Sequence, residues 1–225
     1  MNKLCLLQKY RLLECFTFGI LLIIPFLGTE NVNSQIVPDN TLGDERSIVN
    51  SVGNTDQIDG GAIRGENLFH SFEQFSIEAG RAAYFSNPDV INNIFSRVTG
   101  GDRSDIMGTL GVLGDANLFL LNPSGILFGP DATLDIRGAF YTSTAGEITF
   151  PDGNTFSALV PGAPPLLTVD VTIPISVEFA GAIPGTPVGN LTNEAKLVLD
   201  AGQQLTLQGN TVVSRGELIA PGGTV

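Results

Sequence analysis

Between Asn117 and Ala145 the chain reads NLFLLNPSGILFGPDATLDIRGAFYTSTA, in which four short apolar runs, at Leu118–Leu121, Ile126–Phe128, Leu134–Ile136 and Phe140–Thr142, are separated by turn-forming residues. None is long enough for a helix, which needs roughly ten or more residues of sustained periodicity. The first break, Asn122-Pro123-Ser124-Gly125, matches a type I turn position by position: Asn at the first place, Pro presetting φ at the second, an unrestricted third place, and Gly at the fourth. Strands this short with corners this tight predict a chain that winds instead of folding back and forth.

The pattern recurs. Leu134-Asp135-Ile136-Arg137-Gly138 and Leu205-Thr206-Leu207-Gln208-Gly209 share the order apolar, polar, apolar, polar, Gly, each preceded by a glycine-containing corner at Gly129 or Gly202. In a strand the two apolar side chains point to one face and the polar ones to the other. Hairpin sandwiches use strands of about five or six residues with reversing turns. A parallel β-helix accommodates shorter pieces, because each coil lies about 4.8 Å from the last and inward residues stack into a continuous core. With coils of ~20 to 25 residues, about eight coils and roughly 40 Å of axis are expected. The open edge at the start needs a cap, and the polar segment from Gln35 to Asn67 is the candidate.

The first 34 residues stand apart. Lys3, Lys9 and Arg11 form a positive start, Phe16–Leu27 is an almost unbroken apolar run, and Val32-Asn33-Ser34 before Gln35 suits cleavage, so residues 1–34 read as a secretory signal instead of a buried helix. Both cysteines, Cys5 and Cys15, lie in it, leaving a mature chain without cysteine whose stability rests on burial and backbone pairing. The signal holds three of the 11 basic and two of the 23 acidic residues, so the mature chain carries 8 against 21, a net charge of −13. That field disfavours nucleic acid and anionic membranes as partners.

Within residues 35–225, Ile36-Val37 and Ile48-Val49 are short strand candidates, and Ala82–Phe85 reads as a strand. Leu68, Phe72 and Phe75 have helical spacing, whereas Phe75 and Ile77 have strand spacing, which predicts a short helical turn near Leu68–Phe72 running into a strand. His70, the one histidine, has no neighbouring ligands or nucleophile and reads as a packing or capping residue. Val90–Val98 fits helix by spacing and strand by β-branched content. Gly108, Gly111 and Gly114 fit neither dinucleotide-binding nor P-loop spacing. Residues 150–190 carry seven prolines, around candidate strands Leu166–Val171 and Ile175–Phe179, and read as an excursion packed on the side of the main body. Further coils follow over 191–225, and because the coil pattern still runs at Glu217–Gly223 the chain is expected to be either a truncated product or the first part of a longer solenoid.

The ordered succession FEQFSIEAG, NNIFSRVTGG, SDIMGTLG and LFLLNPSGILFGPDATLDIRGAFYTSTA resembles the N-terminal secretion domain of two-partner secretion exoproteins of the filamentous haemagglutinin type, strongly from Asn40 to Ala145. The resemblance implies an all-β fold, a right-handed parallel β-helix with an N-terminal cap and an extra-helical β-hairpin excursion. It implies a non-enzymatic export module of an adhesin-like protein, delivered through the periplasm to the cell surface or the medium. The implied partner is an outer-membrane β-barrel transporter with periplasmic docking domains, and a host or neighbouring-cell surface is a further candidate. No cofactor or metal is implied. The family's Asn-Pro-Asn-Gly-Ile motif falls on Asn122, Pro123, Ser124, Gly125 and Ile126, with Ser124 departing from the usual Asn. A second family motif is only approximated by Asn87-Pro88-Asp89-Val90, and its role is not carried over. The competing reading is a polysaccharide lyase or hydrolase, for which Asp131, Asp135 and Arg137 are the closest catalytic candidates. A calcium-binding repeat protein would need a GGxGxD series, which is missing.

Overall fold

The computed structural model describes residues 35–164, 178–180 and 189–225. The signal at 1–34, the candidate strand Leu166–Val171 and most of Ile175–Phe179 lie outside them. Among the described residues the elements, apart from one 3-10 turn at Gly43–Glu45, are β-strands, most of them paired in parallel. The longest face runs through Asn67–Phe75, Asn93–Val98, Asn117–Leu121, Phe140–Ser143 and Leu205–Gln208, each pairing with the next. A second face stacks Ser104–Ile106, Ile126–Phe128, Leu191–Asn193 and Val212–Ser214. The third begins with the antiparallel hairpin Ser47–Val52 and Thr55–Gly60, and continues in parallel through Ala82–Ser86, Thr109–Leu113 and Thr133–Asp135.

This is a parallel β-helix. Among the described residues five strands stack in parallel on its longest face, fewer than the eight coils expected from chain length. Coil length, close to the expected value, does not account for the difference; the excursion does. Asn67 lies beside Asn93 and Asn93 beside Asn117, so these coils take 26 and 24 residues. Phe140 lies beside Leu205, 65 residues on, because the chain leaves the stack in between. There Glu147–Thr149, Thr155–Ser157 and Glu178–Ala180 form a separate antiparallel sheet.

The strand Asn67–Phe75 corrects the helical turn expected at Leu68–Phe72. Its neighbour Ile36–Pro38 pairs Val37 with Gln74 but Pro38 with Phe72, so Glu73 is the extra residue of a bulge. The bulge turns Phe72 and Phe75 to one side, with ring centroids 5.2 Å apart in the core. A three-residue spacing between inward rings thus arises without a helix. Val90–Val98, open between helix and strand, is a strand from Asn93 to Val98.

Register explains the composition of the longest face. Leu68, Ile94, Leu118, Phe140 and Leu205 stack as one column in the interior. The adjoining positions Phe69, Phe95, Phe119 and Tyr141 form a second column on the opposite side, with successive centroids 5.2, 4.5 and 4.5 Å apart. That side is covered by Ile148, Phe150 and Phe156 of the excursion. Strands buried on both faces lose their alternation, which is why Leu118–Leu121 reads as a continuous apolar run.

Polar ladders mark the corners. Asn93 donates to the Asn67 amide oxygen at 3.0 Å and Asn117 to that of Asn93 at 2.9 Å, and the Ala139 amide closes the series on Asn117 at 2.8 Å. Ion pairs also run from coil to coil, Arg215 to Glu194 at 3.0 Å and Lys196 to Glu217 at 3.1 Å. All four of those side chains are substantially exposed, so they contribute little to stability.

Candidate functional site

The turn from Asn122 to Ile126 joins the first face to the second. Its backbone follows the expected chemistry: Gly125 donates to the Asn122 carbonyl at 3.1 Å, and the Ser124 amide donates to the Asn122 side-chain oxygen at 2.9 Å. The Asn122 side chain is wholly buried. Its nitrogen donates to the Asp102 carbonyl and to Ser104 Oγ, both at 2.9 Å, so one side chain shapes its own turn and fastens it to the coil before. On the other side Gly189 donates to the Pro123 carbonyl at 2.6 Å and Ile126 to the Asn190 carbonyl at 3.1 Å. The turn is therefore a layer in a stack of turns. Pro123, Gly125 and Ile126 are buried with it, and Ser124 is half-exposed.

Gly125 has φ +121, and a Cβ there would stand 3.1 Å from the Asn190 carbonyl oxygen. Gly125→Ala combines a left-handed backbone with that contact, and a loss of about 1 to 3 kcal/mol is expected in a urea melt.

The carboxylates considered for catalysis do not assemble. Asp135 accepts a hydrogen bond from the Tyr84 hydroxyl at 2.9 Å, across Gly111. Arg137 faces Asp115 at 3.4 Å, with both side chains largely exposed. Asp131 lies exposed at the corner before Thr133–Asp135. Asp135 holds the Tyr84 phenol above its usual range, after the larger effect of burial in the same direction.

His70 is a core residue, as expected. Its Nδ1 lies 3.0 Å from Ser47 Oγ, and its ring packs beside Phe72 and Phe85 with centroids 6.1 and 5.2 Å away. Burial pushes its pKa down to about 3, only partly opposed by Asp59, so the ring is neutral at neutral pH.

One residue escaped sequence reasoning. Arg97, in the apolar context of NIFSRV, is 1% exposed. Its Nε donates to Ser71 Oγ at 2.9 Å, and its terminal nitrogens donate to the Ser157 carbonyl at 2.8 Å, Thr41 Oγ1 at 2.8 Å and the Gly162 carbonyl at 2.7 Å. A cation inside a strand that is buried on both faces was the available signal, because such a charge requires partners from elsewhere.

A family model described as the TPS secretion domain matches residues 34–225. Among curated proteins, the chain is 31% identical over 106 residues to a heme/hemopexin-binding protein of Haemophilus influenzae, covering 47% of this chain and 11% of that protein. The chain thus spans about a tenth of that relative's length. Among solved structures, it is similar to the HMW1 secretion domain of Haemophilus influenzae, with TM-score 0.53 and 18% identity over 81% of this chain and 41% of that one, a likeness of fold. The filamentous hemagglutinin secretion domain aligns over 84% of this chain and 98% of its own, with 14% identity and TM-score 0.35.

Proposed function

This chain belongs to the TPS secretion domain family, and from that premise we propose that it is the export module of a longer, surface-exposed or secreted adhesin-like protein. Proteins of this family are secreted across the outer membrane, and their TPS domains work with a partner outer-membrane transporter. The observation that carries the reading is the extent of the family match, which runs through every described coil. Residues 1–34 would direct the chain into the periplasm, where docking domains of a β-barrel transporter receive it. The family is non-catalytic in general. We read this chain as non-enzymatic as well, which agrees with Asp135 and Arg137 being engaged with different partners.

Asn122, Pro123, Ser124, Gly125 and Ile126 are our candidates for recognition by the transporter. Burial limits how that can work. With Asn122 inaccessible and Pro123 buried in the folded stack, a transporter would read these side chains in a chain not yet wound into coils. Co-expression with the cognate transporter in a Gram-negative host tests this. Asn122→Ala combined with Pro123→Ala is expected to abolish surface delivery, whereas Ser124→Asn should leave it intact. Normal delivery of the double variant would overturn the assignment. Urea melts of the purified variants report the structural share, expected at about 2 kcal/mol or more for Asn122→Ala, because the Asp102 carbonyl and Ser104 Oγ lose their donor and the Ser124 amide loses the acceptor that braces the turn.

A further inference from the structure

Arg97 draws together three parts of the chain that are far apart in sequence. Thr41 lies 56 residues before it, and Ser157 and Gly162 lie 60 and 65 residues after it. The guanidinium also sits 4.3 Å from the centre of the Phe156 ring, a cation–π contact with the excursion. Its negative counterpart is reached through hydroxyls. Ser71 and Thr41, which accept from Arg97, each donate in turn to Asp39 at 2.7 Å, and Thr99 does the same. Burial lowers the Arg97 pKa to about 10, with Asp39 opposing, so the side chain remains a cation at neutral pH.

The excursion is a separate layer. Among the described residues its strands pair with one another and not with the strands of the coils. What it places on the stack is apolar: Phe150 meets Phe95 edge-on at 5.2 Å, and Phe156 meets Phe69 at 4.9 Å. Coil strands such as Asn117–Leu121 are paired on both sides whether or not this layer is in place. The Arg97 site is complete only when Thr41, Ser71, Ser157 and Gly162 have all arrived.

We propose that Arg97 is a buried latch that fastens the N-terminal segment and the 145–164 segment to the coils, and that this segment closes over the Phe69–Phe95–Phe119–Tyr141 column as a distinct, later step of folding. Until it closes, four stacked rings and a guanidinium face solvent. A chain emerging from its N-terminus therefore completes the coils from Asn67 to Ser143 before it can cover their outer side. The inference concerns the chain's own folding and stands whether or not the transporter reading does.

Hydrogen exchange on the full mature chain tests it. The probes are the Phe150 and Ala158 amides, bonded within the excursion, and the Leu118 and Asn122 amides, bonded to the next coil. In Arg97→Met the excursion probes are expected to exchange about tenfold to a hundredfold faster with the coil probes unchanged, and Arg97→Lys should fall between Met and the parent. Equal acceleration of both sets, or none in the excursion, would overturn the proposal. Should Arg97→Met not yield folded protein, the parent in a urea series decides: the excursion probes are expected to lose protection at lower urea than the coil probes. Coincident loss refutes a separate step.

Discussion

Leu205→Asp is expected to remove the cooperative melt, or to lower the urea midpoint drastically, while Leu134→Asp does much less. Both leucines open the same sequence pattern, LDIRG and LTLQG, and sequence treats them alike. Leu205 is 1% exposed and stacks on Phe140 in the interior column, so a carboxylate there has neither water nor a partner. The expected cost is on the order of 4 kcal/mol or more, a large share of the roughly 5 to 15 kcal/mol that holds a domain folded. Leu134 packs on the same core but is only partly buried. Its carboxylate can turn toward water, and about 1 to 3 kcal/mol is expected. Circular dichroism in urea reads both; parent-like behaviour of Leu205→Asp would disprove the inward column.

The second large effect is acid lability through His70. Its folded pKa of about 3 lies below the ordinary 6.5. Between those values the unfolded chain takes up a proton that the folded chain refuses, so stability is full above pH 6.5 and declines as pH falls toward 3. The slope is about 1.4 kcal/mol per pH unit, or about 5 kcal/mol over the whole window. Asp39 and Asp59 act in the same direction at lower pH. Desolvation is the largest influence on Asp39 and opposes ionisation, but hydrogen bonds from Thr41, Ser71 and Thr99 together outweigh it. The Ser86 hydrogen bond leads for Asp59. Both carboxyls are held below their usual range, so their stabilisation is present above pH 3.8 and lost as pH falls through the folded values. Urea melts from pH 7 to 3 separate the groups. His70→Gln is expected to flatten the dependence between pH 6.5 and 4, leaving the carboxylate part below. A slope unchanged in His70→Gln would assign acid lability to other groups.

Several features were legible because they are local. The Asn122-Pro123-Ser124-Gly125 turn follows from φ preferences and one side-chain hydrogen bond, and it stands as read. The parallel β-helix was likewise readable from short runs and tight corners. Other features depend on partners distant in the chain. Inward rings three apart at Phe72 and Phe75 imitate a helix unless the bulge at Glu73 is known, and that bulge is defined by pairing with Val37 and Pro38. The coil count failed because chain length does not reveal how much of the chain leaves the stack.

Sequence by itself determined that this chain winds, where it turns, and which alternating positions can face a core, since those depend on residue type and spacing over a few positions. Tertiary structure decided the rest. It buried Leu118–Leu121 on both faces by laying an excursion over the outer rings, enclosed the Asn122 turn between Asp102–Ser104 and Gly189–Asn190, and gave Arg97 a site built from Thr41, Ser71, Ser157 and Gly162. The physical reason is that a buried polar group is stable only with partners, and here those partners lie one coil, or several, away in the chain.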